Sequence, residues 1–122
     1  MAAEDGCLFC GIVAGDVPAE VVRIGRQVIA FRDVNPQAPL HVLVIPRDHH
    51  RDLPALAAAD PEALAELVEV AAGLAAAEGE GDGGSGTGAF RLVFNTGAET
   101  GQSVFHVHGH VLAGRPFGWP PG

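Results

Sequence analysis

The chain has 122 residues, with 7 basic side chains, all arginine, against 15 acidic ones, for a formal net charge of −8. That length predicts one compact domain over residues 1–122 with enough chain for a hydrophobic core, and the charge excludes a free nucleic-acid binder, which would show a basic stripe. The lack of lysine excludes Schiff-base chemistry and a lysine phosphate clamp, so a bound phosphate must rely on His, Arg, Ser, Asn or backbone N–H.

From the N-terminus, MAAEDGCLFC shows neither a basic n-region nor a long apolar run, and no later stretch approaches the ~18–20 apolar residues of a membrane span. The expectation is a cytoplasmic protein with no membrane partner. Residues 6–14 (GCLFCGIVA) predict a short apolar helix with Asp5 near its start, and Gly15-Asp16-Val17-Pro18 is turn chemistry. Residues 20–24 and 27–32 read as two strands joined at Gly25-Arg26, 33–39 as a loop, and 40–46 (LHVLVIP) as a third strand. Asp60-Pro61 is an N-cap followed by proline at the first helical position. Leu64, Leu67, Val68, Ala71, Leu74 and Ala75 then follow at helical spacing, and the helix should stop near Gly79. Residues 79–88 (GEGDGGSGTG) predict a flexible surface loop without chemistry, and 89–95 and 104–113 predict two more strands. The sum is an α+β domain: an antiparallel sheet of about five strands with one long and one short helix.

His106, His108 and His110 alternate with Val107 and Gly109. On a strand that spacing puts all three on one face with Val104 and Leu112, and Phe105, Val107, Val111 and Ala113 on the other, toward the core. Neighbouring His are then roughly 6.6–6.8 Å apart. With Zn–N bonds of only about 2.1 Å, one metal does not hold all three; either two share a metal or the three divide tasks. Before this strand, Asn95 and the segment 96–103, with Gly97, Gly101, Gln102 and Ser103, read as a phosphate site: glycines free backbone N–H groups and Ser103 adds a hydroxyl. A His facing that phosphate can attack phosphorus, and a second can serve the leaving group as a proton donor.

The pair Cys7-x-x-Cys10 opens the first predicted helix. A thioredoxin-like redox pair would need a preceding strand in a βαβ unit, which is absent here. Half of a tetrahedral zinc site and two small buried apolar side chains are the other readings.

Gly101-Gln102-Ser103-Val104-Phe105-His106-Val107-His108-Gly109-His110-Val111-Leu112 resembles the signature of the histidine-triad (HIT) superfamily. FRDVNPQAP (31–39) and HVLVIPRDH (41–49) resemble its nucleoside-binding segments, and the tail 114–122, GRPFGWPPG, resembles its Hint branch, the purine nucleoside phosphoramidases. The likeness runs from about Cys7 to the C-terminus. It implies a HIT-like fold, a homodimer in which two sheets join, and hydrolysis of AMP or GMP conjugates. By position, His108 would be the nucleophile that becomes adenylylated, His110 the support for phosphate and proton traffic, and Ser103 a residue near the leaving group. Asn95, Gly101 and Gln102 would surround the phosphate, Asp33 would bind the ribose hydroxyls, and Phe9, Ile12, Phe31 and Val34 would wall the base pocket. The resemblance also implies zinc held by Cys7, Cys10, His49 and His106, with His50 an alternative to His49; His41 is expected to pack or hydrogen-bond near its strand's start. Gly109 stands where a bulkier apolar residue is common. Two alternatives to a phosphoramidase are a Fhit-type dinucleoside polyphosphate hydrolase, against which the WPPG tail argues, and a non-catalytic nucleotide- or zinc-binding interaction module.

Overall fold

The computed structural model describes residues 3–78 and 88–122. In chain order the elements are α1 (Leu8–Ala14), β1 (Val21–Ile24), β2 (Val28–Arg32), β3 (Leu40–Pro46), α2 (Leu53–Ala59), α3 (Pro61–Glu78), β4 (Phe90–Val93), a 3-10 turn (Ala98–Thr100) and β5 (Gly109–Ala113). The strands form one antiparallel sheet in the order β1-β2-β3-β5-β4, giving the expected α+β domain. The predicted loop at 79–88 lies, apart from Gly88, outside the described residues. Among those residues no helix is long and apolar enough to cross a membrane.

The central strand β3 is buried at every position, which is why its sequence is nearly all apolar where a half-exposed strand would alternate. One face of the sheet, with Val28, Ala30, Val42, Val44 and Val111, packs against Leu56 of α2 and Leu67, Ala71 and Leu74 of α3. The other, with Ile29, Phe31, Leu43 and Ile45, is covered by Phe9 of α1. The long helix starts where its cap requires, the Asp60 carboxylate accepting from Ala63 N–H at 3.1 Å.

Three expectations need correction. A third helix, α2, was not foreseen; Asp52 caps it by accepting from Ala55 N–H at 3.1 Å, with Pro54 in its first turn. Its seven residues are too few to show a sequence period. Second, α1 starts at Leu8, and Cys7, not Asp5, caps it, its sulfur accepting from Cys10 N–H at 3.3 Å. Third, the histidine strand begins only at Gly109. Continuing the β3–β5 register would set Pro46 opposite Val107, and proline has no N–H to give a ladder. Val107 N–H instead donates to the His50 carbonyl at 2.8 Å. Phe105, expected in the core, is only half-buried, with the Arg51 guanidinium 4.6 Å over its ring.

Candidate functional site

A cavity of about 420 Å³ opens between α1, the segment before β1, the end of β2 and the loop after it. Phe9, Ile12, Phe31 and Val34 all line it, with Leu43 and Val104 behind and Asp33 at its edge. A mostly apolar pocket of this size with a few polar groups suits a small organic ligand. Phe9 joins it to the histidines: its ring meets Phe31 edge-on at 5.5 Å and His108 at 5.0 Å between centroids.

The hydrogen-bond partners fix where the protons sit on the histidines. His108 Nδ1 lies 2.9 Å from the His106 carbonyl. A carbonyl only accepts, so Nδ1 carries the proton and Nε2 keeps its lone pair. His41 Nδ1 accepts from Gln37 N–H at 3.0 Å, so in neutral His41 the proton is on Nε2, which lies 3.0 Å from His110 Nδ1. His110 is then the acceptor and carries its own proton on Nε2. His108 and His110, with rings 5.2 Å apart, therefore hold opposite tautomers. Burial pushes all three imidazoles below the ordinary histidine value, His110 to about 4, where the neighbouring His108 and His41 push the same way and Asp33 opposes. The Asp33 carboxylate accepts from Asn35 N–H at 2.8 Å through one oxygen, and the other lies 3.4 Å from His41 Nε2. His41 was expected only to pack or bond near its strand's start. Its place in the site was legible in one signal, a histidine inside an otherwise apolar run.

The third triad member faces away from this pair. His106 is fully buried, and its Nε2–H donates to the Pro46 carbonyl at 2.8 Å. Its Nδ1 therefore points a lone pair at Cys7 Sγ and Cys10 Sγ, each at 3.5 Å. His49 adds its Nδ1 at 3.4 Å from Cys10 Sγ, with its Nε2 3.3 Å from Glu4. The four donor atoms lie within 4.8 Å of one another. An ion bonded at about 2.3 Å to sulfur and about 2.1 Å to nitrogen sets tetrahedral S···N edges of about 3.6 Å, close to the distances here. Two sulfurs and two imidazoles suit a tetrahedral zinc-like ion, and the Nε2 partners supply the outer contacts that orient such ligands. His50 is not part of the cluster.

Asp33, His41 and His110 make a second group whose donor atoms converge. It differs in proton placement: the Nδ1 lone pair of His41 is committed to Gln37 N–H, so a metal at Nε2 would require an imidazolate. This group is a hydrogen-bond relay.

The segment 96–103 departs from the expected anion cradle. The N–H groups of Thr100 and Gln102 bond the Gly97 carbonyl, Gly101 N–H bonds that of Ala98, and Gly97 N–H donates to Gln102 Oε1 at 2.9 Å. Gln102 is only 3% exposed, and its Nε2 donates to the carbonyls of Arg51 and Val104 at 2.9 and 3.1 Å. Gly101 and Gln102 thus close the turn on itself. Ser103 is exposed and Asn95 half-buried, and neither side chain makes a hydrogen bond to another described residue.

Gly109 has a packing reason: a Cβ there would meet Leu92 and Phe94 at 3.0 Å. At Gly114, φ is +97° and a Cβ would come 2.8 Å from Pro39, so only glycine turns the chain out here. The tail then runs over the protein's own surface. Arg115 donates to the Gln37 carbonyl at 2.9 Å and Arg91 to that of Gly118 at 2.9 Å, and the two guanidiniums lie 4.3 and 5.2 Å from the Phe117 ring centroid. Trp119 is 82% exposed.

Comparison with known proteins agrees with this geometry. The HIT domain family matches residues 14–117. A purine nucleoside phosphoramidase of Escherichia coli is 38% identical over 111 residues, covering 91% of this chain and 89% of that protein. A 14 kDa zinc-binding protein of Zea mays is 42% identical over 118 residues, covering 94% and 87%. Among solved structures, a HIT family hydrolase from Legionella pneumophila superposes with a TM-score of 0.85 at 44% identity, covering 96% of this chain and all of that one.

Proposed function

This chain belongs to the HIT family, and from that premise we propose that it is a cytoplasmic hydrolase of purine nucleoside phosphoramidates, the conjugates of AMP or GMP with an amine. The observation that carries this reading is the His108 ring: its Nδ1–H is held by the His106 carbonyl, and its unprotonated Nε2 is left beside the cavity.

The base lies between Phe9, Ile12, Phe31 and Val34, and Asp33 accepts from the ribose hydroxyls. The α-phosphate then reaches His108. Its Nε2 lone pair forms a bond to phosphorus while the phosphorus–nitrogen bond to the leaving amine breaks. The His106 carbonyl steadies the positive charge that grows on the ring, as an orienting partner does for a catalytic imidazole. His110 Nε2–H hydrogen-bonds the phosphoryl group, and the departing amine nitrogen takes up a solvent proton relayed by the Ser103 hydroxyl. Water then attacks the nucleotidyl-histidine and gives up a proton that replaces the one taken from solvent, and nucleoside monophosphate leaves with His108 Nε2 restored. Asn95 supports the phosphate; Gly101 and Gln102 shape the turn that carries Ser103.

Cys7, Cys10, His49 and His106 are the residues that would hold zinc, and the name of the maize relative supports that ion. A closed four-ligand site supplies folding energy rather than chemistry. A homodimer joined along the sheet belongs to the same reading. The β4 edge supports it, because Val93 of β4 pairs directly with His110, so a second chain docked there abuts the site.

Turnover of a fluorogenic adenosine phosphoramidate, its guanosine counterpart and diadenosine polyphosphates tests the reading. Release of the amine with accumulation of an acid-labile nucleotidyl-protein supports it. Faster cleavage of the dinucleotides replaces it with the Fhit-type activity, and AMP binding without turnover of any of them replaces it with a binding module.

A further inference from the structure

The short helix α1 has two buried residues, Phe9 and Cys10. They serve different neighbours. Cys10, with the capping Cys7, belongs to the four-donor cluster. Phe9, between them in sequence, forms a wall of the nucleotide cavity. Its ring touches the cluster and the triad together, with centroids 6.0 Å from His106 and 5.0 Å from His108, and 5.5 Å from Phe31 on the far wall. A seven-residue helix is not stable in isolation, and its apolar grip on the sheet is Phe9 with partly buried Ile12 and Val13. The sulfurs at its first turn are therefore its other mooring. His106 extends the connection, since its ring lies in the cluster while its carbonyl holds His108 Nδ1–H.

We propose that metal occupancy of the Cys7–Cys10–His49–His106 cluster sets the affinity of the cavity for its nucleotide, and that Phe9 carries the effect. With the ion bound, α1 is pinned by two ligands and the Phe9 ring is held edge-on to Phe31 and His108. Without it, the thiols lose their common partner, the first turn of α1 frays, and the wall that Phe9 supplies becomes one of several positions. The bound nucleotide must then order that wall itself, which weakens binding. The coupling is reciprocal: whatever factor zinc contributes to nucleotide affinity, nucleotide returns to zinc affinity. This inference rests on the nucleotide reading of the cavity.

The test is AMP binding by calorimetry to the full chain, zinc-loaded and chelator-stripped, at a temperature where circular dichroism shows the fold retained. Stripping should raise the AMP Kd at least tenfold in the wild type and in Val34→Ala, whose site lies on the loop rather than on α1, but less than threefold in Phe9→Ala. Should the stripped protein unfold, the loaded protein carries the test: saturating AMP should reduce equilibrium transfer of zinc to a chromogenic chelator by a matching factor. Equal AMP affinity of the loaded and stripped wild type, or zinc transfer indifferent to AMP, overturns the coupling. A full tenfold loss in Phe9→Ala overturns the assignment to that ring. If the loaded protein binds no AMP at all, the nucleotide reading falls first and takes this inference with it.

Discussion

His108 just before β5 and His110 within it carry their protons on opposite nitrogens: His108 on Nδ1, given to a carbonyl at 2.9 Å, and His110 on Nε2, because its Nδ1 faces His41 at 3.0 Å. One ring offers a lone pair and the next a hydrogen-bond donor, with no titration needed to prepare either.

Replacing His108 by Ala should leave AMP affinity within about tenfold of wild type while turnover falls by at least ~10³, the scale for loss of a covalent nucleophile. Steady-state kinetics on the phosphoramidate and calorimetry with AMP check both halves. Turnover within tenfold of wild type rejects the nucleophile. His110→Ala should cost less than His108→Ala.

The acid side of the pH profile should be displaced. Burial holds the His108 nucleophile below the ordinary histidine value and His110 down at about 4, so the lone pair persists into more acid solution and the loss of kcat/KM should fall below the ordinary 6.5. The stability sign follows from the same displacement. The folded ring resists protonation where the unfolded one accepts it, so its contribution is intact above about pH 6.5 and is lost as pH falls toward about 4. Urea midpoints at pH 7.5, 6 and 5 should decrease in that order. An acid limb near 6.5, or midpoints that rise with acid, contradicts the relay described for His41 and His110.

Protein purified without chelators should carry close to one zinc per chain. Chelation should lower Tm by at least ~5 °C, the shift expected from losing about 1 kcal/mol or more in a domain of this size, and by more than it lowers turnover at 25 °C. Elemental analysis and scanning calorimetry give the two readings, and absence of metal rejects the site. His49→Ala should lose the metal, and His50→Ala should keep it; the reverse would move the fourth ligand to His50.

Deleting residues 118–122 removes Trp119 and the Gly118 carbonyl that Arg91 holds, but leaves Arg115 on Gln37. The fold and the His108 intermediate should survive, and the preference among leaving groups should change through kcat/KM, because remote contacts help only substrates that reach them. A bulky aromatic amine and a small aliphatic amine, compared on both proteins, decide this. Equal losses on the two show that the tail takes no part in selection.

Much of this was legible in the sequence where one local rule dominates. Strand 40–46 was readable because every position is buried, and the start of α3 because Asp60-Pro61 is both cap and first turn. Of the expected three-histidine face only the His108–His110 pair holds, and the strand itself does not. His108 packs on Phe9 and His110 lies beside Asp33, both cavity residues, but residues 104–108 leave the ladder because Pro46 cannot extend it and His106 turns into the thiol cluster. Sequence spacing gives a face; it does not tell which of three alternating rings a pair of cysteines 96 or more positions away will draw aside. The glycine segment misled for a related reason. Glycines free N–H groups in principle, but here a buried glutamine and the turn's own carbonyls take them, and those partners are visible only once the chain is folded.

The doubly covered sheet has a consequence for how this scaffold can change its substrate. Phe31 and Leu43 wall the cavity from the same strands whose next residues, Ala30, Val42 and Val44, fill the main core. A substitution that reshapes the pocket from β2 or β3 therefore acts on a backbone clamped from behind, where displaced volume has nowhere to go. Ile12 and Val34 bear no such burden, since Ile12 is only partly buried on α1 and Val34 is exposed on the loop after β2. Divergence in base preference should accumulate at those two positions while the strand residues and Phe9 stay still, leaving a fixed chemical floor under an adaptable roof.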